Sequence, residues 1–317
     1  MDNTNNNVGS PCAKSATGRI VKGVGGLYTV VTDENPDLRI TANAKGTFRH
    51  EKITPSVGDR VTFEYISEDK GFITDIMERK NILIRPACAN VDCLVITACA
   101  ESPKADLYML DKLSAVATYN GISVLFVFNK CDIAPADELI DIYSRAGFEA
   151  IALSAASTHS DSEEINRIKD FVKDRISFFA GASGVGKSSL MNLLFPGLSL
   201  ATGGLSRKIS RGKHTTRASE LYRVDDISSS TYIADTPGFS SFEVAQLKLI
   251  PKEHLLEAFP EIYAHSDGCV YKDCTHTGEG SDVCSVKKAV EDGIIPRSRH
   301  ESFVRLYGEI SAIKPWD

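Results

Sequence analysis

The chain predicts an α/β protein in three parts: a small β-barrel, a largely parallel sheet with helices on its faces, and a short helical segment built around clustered cysteines. Three observations predict it. From about Gly18 to Glu78 short alternating apolar runs are separated by turn residues; from Val91 to about Glu243 apolar strands alternate with helical stripes; and residues 269–284 gather three Cys and one His. A chain of 317 residues, 42% hydrophobic and 25% charged, has ordinary soluble composition and room for two or three domains. No apolar run approaches membrane-spanning length, and the polar start, Met1 to Asn7, has neither the charge nor the apolar core of a signal peptide, so a short disordered tail is expected over 1–16. The net charge of −6 excludes a wholly basic nucleic-acid binder and leaves only local patches for such contacts. Eight scattered cysteines without a leader point to a reducing compartment, with thiols free or metal-bound.

The barrel comes first. Ile20-Val21, a Gly25-Gly26 turn, Leu27 to Val31, and Arg60 to Tyr65 with Val61, Phe63 and Tyr65 alternating, lead through the turn at 67–71 into Phe72-Ile73. About five such strands suit a barrel of the oligonucleotide-binding type, and equally a small barrel used only for packing. In the next segment Val91 to Ile96 reads as a strand and Leu107, Leu110, Leu113 and Ala117 as one face of a helix. Ser123 to Phe128 is a continuous apolar run of buried parallel-strand character. Ile151 to Leu153 is a further strand, and Ser160 with Glu163 reads as a capping box before Ile165, Ile168, Phe171 and Val172. Ile176 to Ala180 is a strand, Lys187 to Leu194 a helix stopped by Pro196-Gly197, and Glu220 to Val224 with Thr231 to Ala234 an antiparallel pair.

The chemistry lies at the ends of these strands. Residues 181–188 (Gly181, Ala182, Ser183, Gly184, Val185, Gly186, Lys187, Ser188) fit G-x-x-x-x-G-K-[ST] between a strand and a helix. Glycines let backbone N–H groups turn inward around phosphate oxygens, Lys187 supplies charge to the outer phosphates, and Ser188 offers a hydroxyl to Mg²⁺, with Ser189 next in line. Asn129-Lys130-Cys131-Asp132 fits N-K-x-D just beyond a buried strand, where open α/β sheets bind ligands. The Asp132 carboxylate accepts from guanine N1–H and N2–H₂, which adenine does not offer in that arrangement. Asn129 braces neighbouring loops, the Lys130 stem lies along sugar and base, and Ser154-Ala155 resembles a backbone clamp on the guanine carbonyl. Asp235 to Gly238 (DTPG) fits D-x-x-G, with Asp235 directed to Mg²⁺ and the Gly238 N–H to the γ-phosphate. Most nucleotide switches run phosphate loop, D-x-x-G, then N-K-x-D. Here N-K-x-D comes first, so the domain reads as a circularly permuted P-loop GTPase.

The basic stretch 207–217 occupies the switch I position, with Thr215 or Thr216 expected to sense Mg²⁺ and the γ-phosphate; it is a contact for RNA or a solvated loop. Phe239 stands where many GTPases place a water-orienting Gln, and a phenyl ring cannot aim a water. His214 is the candidate for that task because it titrates near neutrality; its alternative is a surface or RNA-contacting His. In the third part Cys269, Cys274, His276 and Cys284, spaced C-x₄-C-x-H-x₇-C, supply three thiolates and an imidazole for one structural Zn²⁺, or are ordinary buried side chains. Ser285 to Gly293 reads as a helix, and Ser298 with Glu301 as the cap of another with the stripe Phe303, Leu306, Ile310 and Ile313. Cys12, Cys88, Cys93, Cys99 and Cys131 have no such partners.

The order N-K-x-D, G-x-S-G-V-G-K-S-S, Thr-Thr and D-T-P-G, preceded by a small barrel and followed by C-x₄-C-x-H and a third Cys, resembles the ribosome small-subunit-dependent GTPase A family over nearly the whole chain. Residues 79–86 and 299–303 resemble its connecting and C-terminal segments. The resemblance implies a bacterial, cytoplasmic, monomeric GTPase that acts late in 30S subunit maturation, with its barrel against 16S rRNA, no membrane partner, and His214 as the catalytic residue. Two departures are visible: the interval from His276 to Cys284 is longer than the family's, and the N-terminal tail is short and not basic. The implied division is a tail at 1–16, an oligonucleotide-binding-type barrel at 17–80, a permuted GTPase core at 81–245 and a zinc-binding helical domain at 246–317. Two other classes remain: an ATP-dependent P-loop enzyme acting on a small molecule, and an RNA-binding assembly module whose nucleotide site is a structural brace.

Overall fold

The computed structural model describes residues 14–44, 48, 53–84, 87–198, 220–235 and 250–312. Five strands, β1 (Ser15–Val24), β2 (Leu27–Thr32), β3 (Arg39–Ala44), β4 (Arg60–Tyr65) and β5 (Lys70–Ile76), run in the order β1-β2-β3-β5-β4, and β4 pairs back to β1 to close a barrel. Ile20, Val30, Ile40, Val61, Phe63 and Ile73 fill it completely. β1 opens at Ser15, so the last two residues of the 1–16 segment belong to the barrel; Ala16 and Gly18 hide that strand because they carry little apolar signal, yet they pair with Phe63 and Val61. β3 was not expected either, since its inward residues are only Ile40 and the small Ala42.

A two-stranded ribbon, β6 (Ile82–Ile84) with β7 (Ala87–Ala89), leads into the second sheet region. There β8 (Cys93–Ala98), β9 (Ser123–Phe128), β10 (Glu149–Ala152), β11 (Ile176–Ala180), β12 (Glu220–Arg223) and β13 (Tyr232–Asp235) run in the order β10-β9-β8-β11-β13-β12. The first five are parallel and β12 is antiparallel to β13. The expected strands are therefore present, shifted by up to two residues at their ends. Alternation along β8, β9 and β11 makes two apolar faces. Leu94, Ile96, Phe126, Phe128 and Phe178 share a core with α1 (Leu107–Tyr119) and α2 (Asp137–Arg145), whereas Val95, Leu125, Val127 and Phe179 meet α3 (Glu163–Val172) and α4 (Lys187–Leu194).

Two helix starts differ from expectation. α3 is capped by Ser162, whose hydroxyl accepts from the Ile165 N–H, and not by Ser160. A cap must be the extended residue directly before the first helical one, and Ser162 holds that position. The last helix, α7 (Arg297–Ser311), begins directly after Pro296, with no side-chain cap, so Ser298 lies inside its first turn. Proline fixes φ and has no N–H to satisfy, which starts the helix without help from a serine. Its stripe of Phe303, Leu306 and Ile310 is buried as expected, and Ile313 lies outside the described residues. Among the described residues no helix is long and apolar enough to cross a membrane.

The three parts are joined at two seams. β12 pairs with β1 at Lys22 and Glu220, whose side chains form an ion pair at 2.8 Å, and Arg223 reaches Asp37 at 2.5 Å while Arg19 lies 5.6 Å from the Tyr232 ring. The second seam is buried. Arg299 of α7 is fully enclosed, donating through Nε to Glu261 at 2.7 Å and through Nη1 to Asp111 at 2.9 Å and Ser114 at 3.0 Å, while Tyr143 donates to the same Asp111 oxygen at 3.0 Å. Glu261 lies in α5 (Pro260–Tyr263), and Phe259 and Phe303 join the core that covers α1. The packing thus continues across the expected boundary at 245/246.

Candidate nucleotide and metal sites

β9, β10, β11 and β13 are parallel neighbours or near neighbours, so their carboxyl ends open on one edge of the sheet, and each carries one of the expected motifs. The order of the motifs along the chain is permuted, yet the strands that lead into them share one sheet. At the end of β11 the phosphate loop turns into α4, whose first-turn N–H groups lack helical partners and so suit an anion. A Cβ on Gly181 would run into the carbonyl oxygen of Thr97 on β8, and one on Gly186, at φ 89°, into the Asn129 amide. Only glycine allows these close approaches.

Asn129, almost fully buried, ties three pieces together. Its Nδ2 donates to the Val185 carbonyl of the phosphate loop at 2.9 Å, and its Oδ1 accepts from the Ala155 N–H at 2.8 Å. The bracing expected of Asn129 is present, and the Ala155 N–H assigned to the guanine carbonyl donates to Asn129 here. Asp132 is exposed, with one carboxylate oxygen accepting the Ser154 hydroxyl. Lys130, at φ 63°, donates through Nζ to the Ser102 carbonyl at 2.6 Å. That contact was not foreseen: the segment 99–106 has no motif, yet it covers the phosphate loop. It lines a cavity of 210 Å³ in which Pro103, Lys104 and Asp106 face Gly181, Ala182 and Ser183. Asp106 also caps α1 by accepting from the Met109 N–H at 3.2 Å, a signal the helix-start rule could have found before Leu107. His214, Thr215, Thr216, Gly238 and Cys12 lie outside the described residues; for Asp235 only the backbone, ending β13, is described.

Cys269, Cys274, His276 and Cys284 do come together, with all four ligand atoms within 4.8 Å of one another. The Cys269 and Cys284 sulfurs are each 3.5 Å from His276 Nδ1 and 3.9 Å apart. Cys284 is included because α6 (Ser285–Glu291) starts directly after it, so the longer loop after His276 returns to the cluster. His300 Nε2, 2.8 Å from the His276 carbonyl, and Glu279, which accepts from the Thr275 N–H at 2.8 Å, fix the turn. Burial, with neighbouring sulfurs adding to it, pushes Cys274 up to about 12, whereas at Cys269 burial is outweighed by hydrogen bonds from Ser285 that hold the thiol low. The cluster can hold a metal ion. By contrast, burial pushes the thiols of Cys88 and Cys93 up to about 12 and about 11, and they stay inert in the core.

A parallel core with a phosphate-loop motif, an N-K-x-D loop ahead of it in sequence, and a closed barrel on one edge defines a circularly permuted GTPase. Family models agree: residues 76–245 match the RsgA GTPase model and residues 17–73 the RsgA N-terminal domain. The chain belongs to the RsgA GTPase family and is a GTP-hydrolysing enzyme. Its relatives include the small ribosomal subunit biogenesis GTPase RsgA of Caldanaerobacter subterraneus subsp. tengcongensis, 40% identical over 92% of this chain and 95% of that protein. A protein of the same name from Clostridium botulinum is 36% identical over 92% of this chain and 97% of its own length. Among solved structures, YjeQ from Thermotoga maritima superposes with a TM-score of 0.77 at 31% identity, covering 95% of this chain and all of that one. YloQ, described as a circularly permuted GTPase, gives 0.74 at 30% identity, over 95% and 97%.

Proposed function

We propose that this chain is a cytoplasmic, monomeric GTPase of small-subunit biogenesis, which binds the 30S subunit through 16S rRNA late in maturation and hydrolyses GTP faster when bound. The observation that carries this reading is the relatives named for small ribosomal subunit biogenesis, which match over 92% of the chain. Its working parts are a barrel that β1 opens at Ser15 and that ends near 80, a GTPase core at 81–245 and a metal-binding segment at 246–317.

In the core, Gly181, Ala182, Ser183, Gly184, Val185, Gly186, Lys187, Ser188 and Ser189 hold the phosphates, with Gly238 on the γ-phosphate. Asn129, Lys130, Asp132, Ser154 and Ala155 hold the base. Ser188, Asp235 and Thr215 or Thr216 would hold the Mg²⁺ that accompanies GTP, which would offset phosphate charge. His214 orients the attacking water, since Phe239 cannot. The decisive measurement is GTP hydrolysis with and without purified 30S subunits, repeated with His214→Ala. Stimulation is expected for the parent, and loss of most of the stimulated turnover with nucleotide affinity unchanged for the variant. Full stimulated activity in His214→Ala would return that residue to a surface role.

The D-x-x-G segment leads directly into residues 246–317, so movement on loss of the γ-phosphate is covalently tied to the metal-binding part. Binding to 30S subunits is therefore expected to be tighter with a nonhydrolysable GTP analogue than with GDP, and by linkage the subunit raises GTP affinity by the same factor. Equal binding in both nucleotide states rules this coupling out.

The resident metal is one structural Zn²⁺ on Cys269, Cys274, His276 and Cys284. In a tetrahedral site with Zn–S near 2.3 Å and Zn–N near 2.05 Å, ligand atoms sit roughly 3.5–3.8 Å apart, which the separations of 3.5 and 3.9 Å among Cys269, His276 and Cys284 support, with Cys274 within 4.8 Å of them. Three thiolates and no open position suit a structural ion rather than a catalytic one. Cys274→Ser is expected to lower zinc from about one ion per chain to near zero. Metal analysis of protein purified without added zinc checks it, and a metal-free parent with its fold intact overturns it.

A further inference from the structure

A groove of 340 Å³ opens beside the metal cluster, walled by the first described residues after 236–249 on one side and by α7 on the other. Leu255 and Phe303, both buried, and the half-buried Leu256 form an apolar floor; Lys252, Thr275 and Tyr307 stand at the mouth. The Lys252 ammonium lies 4.6 Å from the centroid of the Tyr307 ring. No motif foretold this site, and neither the nucleotide site nor the metal ligation uses Lys252 or Tyr307.

We infer that this groove takes one unpaired nucleotide of single-stranded RNA, its base on Tyr307 over the apolar floor and its phosphate on Lys252. The inference rests on the reading that the chain meets ribosomal RNA, and it names a point of contact. Size is the first argument. Ligand sites run from roughly 300 to 1,000 Å³, so this one accepts a base-sized group, whereas a protein helix about 10–12 Å across does not fit. Chemistry is the second. An aromatic face over an apolar floor suits any base, because every base has a π-face, and a single ammonium at the mouth matches the single charge of one phosphodiester. Glu253, also lining the groove, can accept from a base N–H. Duplex RNA hides its base faces in the stack and gains nothing here.

The probe is a fluorescent, mixed-sequence, single-stranded oligoribonucleotide, used with the full chain, with the unlabelled duplex of the same sequence as competitor. Irradiation of the complex is expected to crosslink the peptide carrying Tyr307. Tyr307→Ala should weaken binding by about 5- to 150-fold, the range for loss of one base stack, while Tyr307→Phe keeps the parent affinity. Lys252→Gln, at an exposed position, should weaken binding and flatten the salt dependence by about one phosphate contact. Zinc content and GTP affinity report whether Tyr307→Ala has kept its fold; if it has not, Lys252→Gln decides. Parent-like RNA binding by Lys252→Gln, crosslinks confined to the barrel, equal competition by the duplex, or a crosslink from Tyr307 to a ribosomal protein in the 30S complex each overturn the inference. Stimulation by 30S subunits with no RNA contact at Tyr307 sinks this groove alone. An RNA contact there without 30S stimulation leaves the groove standing and removes the broader reading.

Discussion

Asp132→Asn is expected to lower GTP affinity by roughly two orders of magnitude or more and to raise affinity for xanthosine triphosphate. A charge-assisted hydrogen bond is worth ~1.5–3 kcal/mol, and an acceptor left unmatched costs a similar amount. The carboxylate faces the two guanine donors, N1–H and N2–H₂; an amide turns one acceptor into a donor, which opposes the guanine amine but suits the xanthine carbonyl. Ser154 donates its hydroxyl to Asp132, and the remaining amide oxygen can still accept it, so the loop keeps its shape and the change falls on the base. Asp132 is exposed, and stability should move by no more than about 0.5 kcal/mol. Titration with both nucleotides checks it, and unchanged GTP binding would falsify residues 129–132 as the base reader.

The second large effect is on stability. Arg299→Ala is expected to destabilise the protein by about 3–5 kcal/mol, the range for breaking a buried ion pair by removing one partner. Burial alone would lower the guanidinium pKa, but Asp111 and Glu261 outweigh it and hold the charge firmly. Alanine leaves both carboxylates enclosed without a cation and also removes the contact with the Phe259 ring, 4.6 Å from the guanidinium carbon. Neutralising them as well, with Asp111→Asn and Glu261→Gln in the same chain, should recover part of the loss, because the cost lies in the orphaned charges. Urea melts of the single and triple variants test this. A single variant that melts like the parent shows that the seam carries little. Since α1 holds Asp111 and Ser114, and its cap Asp106 lines the cavity beside the phosphate loop, loosening the seam should also weaken nucleotide binding.

The local patterns were sound where a residue's role depends on its neighbours in sequence. Ile176–Ala180, Ser123–Phe128 and Lys187–Leu194 form the strands and helix their apolar spacing predicts, and the phosphate loop stands between two of them. The four clustered side chains were readable from residue type, although the long loop before Cys284 left its membership to the fold. The caps went wrong for different reasons: before α3 Ser157, Thr158, Ser160 and Ser162 all offer hydroxyls and backbone conformation selects Ser162, whereas α7 starts directly after Pro296 with no side-chain cap. β3 and the first residues of β1 were missed because small side chains give no apolar alternation, although strand pairing accepts them readily.

By itself the sequence determined the permuted order of motifs, the strand and helix that flank the phosphate loop, and the residue types of the Cys/His cluster, because each of these is written in a short run of specific residue types. Only the tertiary structure decided that Lys130 would anchor to Ser102. It also put Arg299 on Asp111 across 188 residues of chain and opened a groove between Lys252 and Tyr307. Such contacts depend on which helix faces pack together, and packing is fixed by the sum of many weak apolar contacts over the whole core, for which no single stretch of sequence carries a signature.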